Sequence, residues 1–315
     1  MYISSNKNFN PTESIELYNY REHFKILSKL YNNNSFPRIL LLSGEKGSGK
    51  FTFIFHLINF FFTFDDKKES YDIKNYRINT ENSFYKNTVS NINENLVYIG
   101  KDSHKNVSVE NIREIKKKFN TTSLNNLPRF TILDDVDLLN SNSANALLKL
   151  IEEPSDKNYF ILINNKRKKM IDTLKSRSIE FKIFLNSKDK YNIAELLSKK
   201  YSVNINNYKH YLNITSPGSF IRICDCLEKI KVNNKLNLYS SAEILLDKFR
   251  KDKKEIYLES IKFLLDCVIA DGIKKRKLNF IKMGFLKKII VKRMYDYENF
   301  SLSKNSVLET LKSLS

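Results

Sequence analysis

Apolar residues along this chain arrive in two rhythms. Up to residue 184 they come largely as short runs: RILLLSG (38–44), LVYIG (96–100), RFTILDDVDLL (129–139), which ends in acids, and YFILINN (159–165), with a last strand signal at SIEFKIF (178–184). Continuous runs of this length predict strands buried on both faces of a parallel sheet. Between them the apolar positions fall at helical spacing. FTFIFHLINFFFTF (51–64) contains His56 and Asn59 and is shorter than the ~20 residues a bilayer span needs, so it predicts a buried helix starting near Lys50. SVENIREIKKKF (108–119) predicts a helix capped by Ser108, with Val109, Ile112 and Ile115 on one face. SANALLKLIEE (143–153) predicts another, stopped by Pro154. Strands alternating with helices give an α/β fold with a doubly wound parallel sheet over residues 1–186. The polar, weakly periodic stretch 64–95 is expected to be a long surface insertion with little core of its own.

Past residue 186 the strand signal fades. SKDKYNIAELLSKKYSV and SPGSFIRICDCLEKI predict a small helical domain over 187–232, and SSAEILLDKF with YLESIKFLLDCVIADGI a second helical domain over 233–315.

The first strand runs into GEKGSGKF (44–51), which fits the phosphate-loop spacing GxxxxGK[ST] up to its last position. Gly44, Gly47, Ser48, Gly49 and Lys50 supply glycines for close backbone approach, N–H groups at a helix start, and a cation. Phe51 stands where a hydroxyl ordinarily gives magnesium one of its oxygen ligands. Thr52 lies about 100° further round the helix and does not replace it. TILDDVDLL delivers Asp134 and Asp135 at a strand's C-terminal end, where ligands bind in open parallel sheets. Asp134 suits a metal held through water. Asp135 is one methylene shorter than the Glu expected of a group that activates an attacking water.

LDDVDLLNSNSANALLKLIEEPSDKNYFILINN, followed by LKSRSIEF, resembles the clamp-loader branch of AAA+ proteins, and most closely the delta-prime subunits of the bacterial DNA polymerase III clamp loader. The shared features are the acidic strand, the NALLKxxEEP helix, the sensor strand with Asn164 and Asn165, and an SRC-like motif at Ser176, Arg177 and Ser178. VSVENIREI strengthens the match, and NP (10–11) and SPG (216–218) extend it more weakly. The resemblance implies an AAA+ P-loop domain, a helical lid and an all-α C-terminal collar in a hetero-pentameric ring with delta and tau/gamma type subunits. It implies a bacterial cytoplasmic protein of DNA replication that acts on primed DNA without sequence preference and meets the sliding clamp mostly through other subunits. A non-hydrolysing subunit is expected, with no ATP or magnesium required. Arg177 is implied as a finger reaching a neighbour's nucleotide site, a role its planar fork suits. The alternative is an active ATPase motor subunit of such a loader. The sequence departs from the family in having no cysteine in 64–95, so no zinc is expected, and in carrying Ser219 directly after SPG where the family has Arg; Arg222 lies nearly one turn on.

Composition adds one point. Lys plus Arg number 54 against 35 Asp plus Glu, a formal charge of +19 that favours a polyanionic partner. The abundance of Asn, Lys and Ile fits AT-rich codon usage equally well. Nine Lys/Arg and no acids fall between Lys274 and Arg293, and KRKK fills 166–169; each reads as a solvated helical face or as a DNA contact. Cys224, Cys226 and Cys267 form neither a disulfide framework nor a zinc set, and the four His residues lack metal-ligand spacing. The N-terminal residues lack the apolar core of a signal peptide, and no membrane association is expected.

Overall fold

The computed structural model of the chain describes residues 9–64, 70–100, 109–110, 112–113, 127–152, 157–231, 238–274, 280–300 and 302–312. The chain divides into two compact units, Met1–Asp189 and Lys190–Ser315.

The first unit is a five-stranded parallel sheet in the order β2-β3-β4-β1-β5. Its strands are β1 Ile39–Ser43, β2 Leu96–Ile99, β3 Arg129–Leu133, β4 Asn158–Asn164 and β5 Ile179–Lys182. All four pairings are parallel, with Leu41 opposite Leu162, Ile132 opposite Ile161 and Leu40 opposite Ile179. The apolar runs of the inner strands β1, β3 and β4 follow from burial on both faces, whereas edge strand β5 exposes Ile179 and buries none of its residues. Leu40, Leu42, Phe130, Ile132, Ile161 and Ile163 point into one core cluster, while Leu41, Leu133, Phe160 and Leu162 point into the other.

The first cluster is roofed by helices α1 (Arg21–Asn32), α2 (Lys50–Thr63) and α3 (Ser83–Val89). Helix α2 is buried around nearly its whole circumference, including Phe51, Phe53, Phe55, Leu57, Ile58 and Phe60. Most of its polar groups find partners within the protein, Asn59 Oδ1 being an exception. Asn59 donates to the Phe55 carbonyl, Thr63 to the Asn59 carbonyl, and His56 lies 2.9 Å from the Tyr71 hydroxyl and 2.7 Å from the Ser14 carbonyl. The second cluster is covered by α4 (Ser141–Ile151) and α5 (Asp172–Ser176), through Leu147, Leu150, Ile151 and Leu174. Asn140 caps α4 by accepting from the Ser143 N–H.

The stretch 64–95 corrects the sequence reading. It is no coreless insertion: Tyr71, Tyr76, Ile78 and Phe84 are buried in the α1/α2 cluster. Tyr71 stacks on Phe24 at 5.4 Å, Tyr76 meets Phe24 edge-on at 5.3 Å, and the Leu17 and Ile78 N–H groups donate to the Tyr76 and Ile15 carbonyls. Single aromatic residues spaced irregularly leave no periodic signal, yet each contributes a large apolar area. Phe24, fully buried where these rings meet, is the keystone. Phe24→Ala is expected to destabilise the chain by about 3–5 kcal/mol, the range for truncating a buried aromatic, read as a lower denaturation midpoint with unchanged slope in urea.

The helix expected over 108–119 lies largely outside the described residues; 109–110 and 112–113 are helical and Ile112 is buried. The regular structure in the second unit's described residues is helical: α6 (Ser187–Tyr201, which begins just before the boundary), α7 (Pro217–Lys229), α8 (Leu238–Asp252), α9 (Glu255–Lys274), α10 (Phe280–Phe300) and α11 (Lys304–Lys312). Pro217 takes the first position of α7, where its missing N–H costs nothing. Helix α9 packs on both α7 and α8, and the expected boundary at 232/233 falls outside the described residues. The three cysteines are buried as thiols. Among the described residues no helix is long and apolar enough to cross a membrane.

Candidate functional site

The C-terminal ends of β1, β4 and β3 lie side by side, because β4 is inserted between the other two. They carry the phosphate-like loop, Asn164 and Asn165, and the acidic run 134–137 to one edge of the sheet. The loop turns on its glycines. A Cβ on Gly44 would meet the Ile183 carbonyl oxygen at 2.6 Å, and Gly47 and Gly49 have φ of 79° and 87°. Lys50 opens α2 and folds back, donating to the Gly44 and Glu45 carbonyls at 3.0 and 2.7 Å. Burial pushes its ammonium down to about 8, with Asp134, Asp135 and Asp137 pulling the other way. From beneath the loop Tyr20, itself at φ 72°, donates its hydroxyl to the Ser48 carbonyl at 2.5 Å, and burial raises that phenol far above its ordinary value. Ser48 Oγ is buried with no hydrogen-bond partner among the described residues. A glycine cradle, a lysine and an orphaned hydroxyl fit a phosphate group.

The acidic half differs. Asn165 Nδ2 donates to Asp134 Oδ1 at 2.9 Å and to Asp135 Oδ1 at 2.6 Å, while Arg167 Nη2 lies 3.3 Å from the same Asp135 oxygen. Asp134 Oδ1 also accepts the Asp135 N–H at 2.8 Å, and Tyr98 Oη reaches Asp134 Oδ2 at 3.4 Å. Burial, then the Asp135 charge, raises the Asp134 carboxyl above the usual carboxylate range. The Tyr98 ring stands edge-on to Phe51 with centroids 4.8 Å apart. The aromatic side chain at the expected hydroxyl position is therefore packed against the group that touches the acid. Magnesium asks for a near-octahedral oxygen shell. Here Phe51 supplies no oxygen and three of the four Asp134 and Asp135 carboxylate oxygens already accept internal donors. The donor set does not fit that ion.

Asp137, Tyr98 and Arg167 were not singled out from sequence. Asp137 accepts from the backbone N–H groups of Asn165 and Arg167 at 2.9 and 2.8 Å, which shapes the loop after β4 and aims Arg167 at Asp135. The third acid of DDVD was its only sequence signal. The KRKK run is accordingly not a helical face but this loop, in which Arg167 is engaged in a largely buried pair while Lys166, Lys168 and Lys169 are exposed. Arg167 pairs with Asp135, Lys166 lies 5.2 Å above the Phe184 ring, and Lys169 pairs with Asp172.

Arg177 stands apart from this network. It ends α5, its Nη1 donates to the Thr173 carbonyl at 3.3 Å, and its Nη2 is 2.9 Å from Glu152 Oε1. It is 41 % exposed. In the second unit, Ser219 is buried in α7 and Arg222 pairs with Glu259 at 3.6 Å.

A parallel sheet with this strand order, a glycine-lysine loop entering α2 and an acidic run after β3 define a P-loop α/β domain of the AAA+ class. The family described as "DNA polymerase III, delta subunit" matches residues 20–186, more than half of the chain. The chain belongs to that family. Among curated relatives it is 30% identical over 177 residues to the DNA polymerase III subunit gamma of Buchnera aphidicola subsp. Schizaphis graminum, covering 54% of this chain and 47% of that one. It is 29% identical over 154 residues to the delta' subunit of Buchnera aphidicola subsp. Baizongia pistaciae (49% and 44% covered), and 24% over 156 residues to that of Bacillus subtilis (49% and 45%). The chain thus spans less than half the length of these relatives. A solved DNA polymerase III gamma subunit-related protein of Thermotoga maritima aligns with a TM-score of 0.49 at 13% identity, over 92% of this chain and 96% of that one.

Proposed function

We propose that this chain is a non-hydrolysing, delta-prime-type subunit of a bacterial clamp loader, a cytoplasmic assembly that places the sliding clamp on primed DNA. In this reading the second unit supplies a lid and a collar, and Arg177 serves the nucleotide site of a neighbouring ATPase subunit. The observation that carries it is the acidic half of the site. Asp134 and Asp135 are satisfied by Asn165, Arg167 and Tyr98, with Phe51 packed behind them, whereas the phosphate cradle around Lys50 is kept. A domain that keeps its cradle and fills its metal ligands from within is a scaffold. Neither ATP nor magnesium nor zinc is required in this role.

A motor-subunit reading is favoured by the cradle itself and by the relative named gamma. The test is co-expression with delta and tau/gamma type subunits. The expected result is a stoichiometric hetero-pentamer on gel filtration containing one copy of this chain. Elution of this chain alone, or its substitution for the tau/gamma subunits in the ring, would overturn the proposal. DNA contact in such a ring would be electrostatic and steeply salt-dependent. The exposed Lys288 and Lys292 of α10 and the exposed Lys166 and Lys169 of the loop after β4 are the cations available for it.

A further inference from the structure

Two helices end beside each other at Arg177. Helix α4 terminates at Glu152, its C-cap, and α5 terminates at Arg177, its C-cap. A cation at a helix C-terminus is favourable and an anion there is not. Arg177 therefore complements α5, but Glu152 opposes the dipole of α4, so helix stability does not account for a carboxylate at that position. Nor does the stability of the fold, since both side chains are more than 40 % exposed and such a pair is worth little to folding; its small energy serves only to weight one orientation of a side chain over the others. What the pair does is geometric. Glu152 holds Nη2 and the Thr173 carbonyl holds Nη1, so the guanidinium of a long, rotamer-rich side chain is fixed at both ends of its fork. The remaining N–H donors of that fork have no partner among the described residues.

We infer that Glu152 is a positioning residue for Arg177: it weights the guanidinium toward one orientation, so that the subunit more often meets its neighbour with its cation already aimed. This rests on the reading of Arg177 as a finger. A planar fork loses its advantage over a point charge if it must search for its orientation at each encounter. Glu152 touches no nucleotide in this scheme and acts only through Arg177.

The test is a double-mutant cycle in the reconstituted loader, reading kcat and KM for ATP with assembly checked by gel filtration. Glu152→Ala is expected to lower kcat by part of the loss that Arg177→Ala produces, with KM unchanged. Glu152→Gln, which keeps an acceptor oxygen, should recover some of it. In the Arg177→Ala background, Glu152→Ala should cost nothing further. If Arg177→Ala slows the assembly while Glu152→Ala does not, or if the Glu152 effect persists undiminished without Arg177, the positioning role is overturned and the finger stands. If Arg177→Ala leaves an assembled loader at full rate, the finger reading fails and this inference fails with it.

Discussion

Arg177→Ala in an otherwise complete assembly is expected to slow ATP hydrolysis while leaving folding and subunit stoichiometry intact. The side chain is half-exposed at the end of α5, and its partners, Glu152 and the Thr173 carbonyl, lie on α4 and α5 and not in the core. Its removal therefore creates no cavity and strands no buried charge. An arginine that completes a phosphoryl-transfer site from outside is worth ~10³ to 10⁵ in rate at that site. An assembly with several active sites loses only the share that depends on this boundary, so the steady-state rate falls less than the single-site figure. Arg177→Lys should restore little, because an ammonium cannot reproduce the two-pronged planar contact. The measurement is DNA- and clamp-stimulated ATPase of the reconstituted complex, wild type against both variants. An unchanged rate in an assembled Arg177→Ala complex would leave Arg177 as a surface residue paired with Glu152 and nothing more.

The second large effect concerns the chain's own site. The isolated protein is expected to turn over ATP no faster than its Lys50→Ala variant, because no oxygen stands at residue 51 and Asp135 is held by Asn165 and Arg167. Restoring the hydroxyl with Phe51→Thr, alone or with Asp135→Glu, is not expected to restore magnesium-dependent binding. The carboxylates must first be released, so Phe51→Thr combined with Asn165→Ala and Arg167→Ala, which together leave Asp135 Oδ1 without a side-chain donor, is the variant in which magnesium should begin to strengthen nucleotide binding. Calorimetric titration of nucleotide with magnesium and with a chelator, on variants shown to be folded, separates the cases. A tenfold magnesium-dependent gain, about 1.4 kcal/mol, in Phe51→Thr alone would show that the internal donors do not block the ion.

The parts of this molecule that were legible in its sequence are those where one local rule sufficed. Strands buried on both faces must be continuously apolar, so β1, β3 and β4 stand out as runs. A cradle must have glycine where φ is positive, so Gly47 and Gly49 stand out as well. What escaped depends on strand order. Arg167 and Asp135 are far apart in the chain and meet because β4 lies beside β3. Tyr98 meets Phe51 and Asp134 because β2 lies on the other side of β3. Spacing along a sequence carries no trace of such neighbours. The buried aromatic residues of 64–95 escaped for a different reason: Tyr71, Tyr76 and Phe84 each make their contacts singly, and no period of 2 or 3.6 joins them.

Phe51 is not merely a missing hydroxyl, since its ring is part of the packing, stacked on Phe55 at 6.0 Å and met edge-on by Tyr98. Placing threonine at that position would remove a buried ring, a change that in cores costs a few kcal/mol, and would leave a hydroxyl in apolar surroundings. Phe51→Thr alone would lose stability, while any gain in metal affinity would need further changes at Asn165 and Arg167. Position 51 thus couples two properties: the ring that leaves no hydroxyl there also holds the core, so no single substitution at this position gains the one without losing the other.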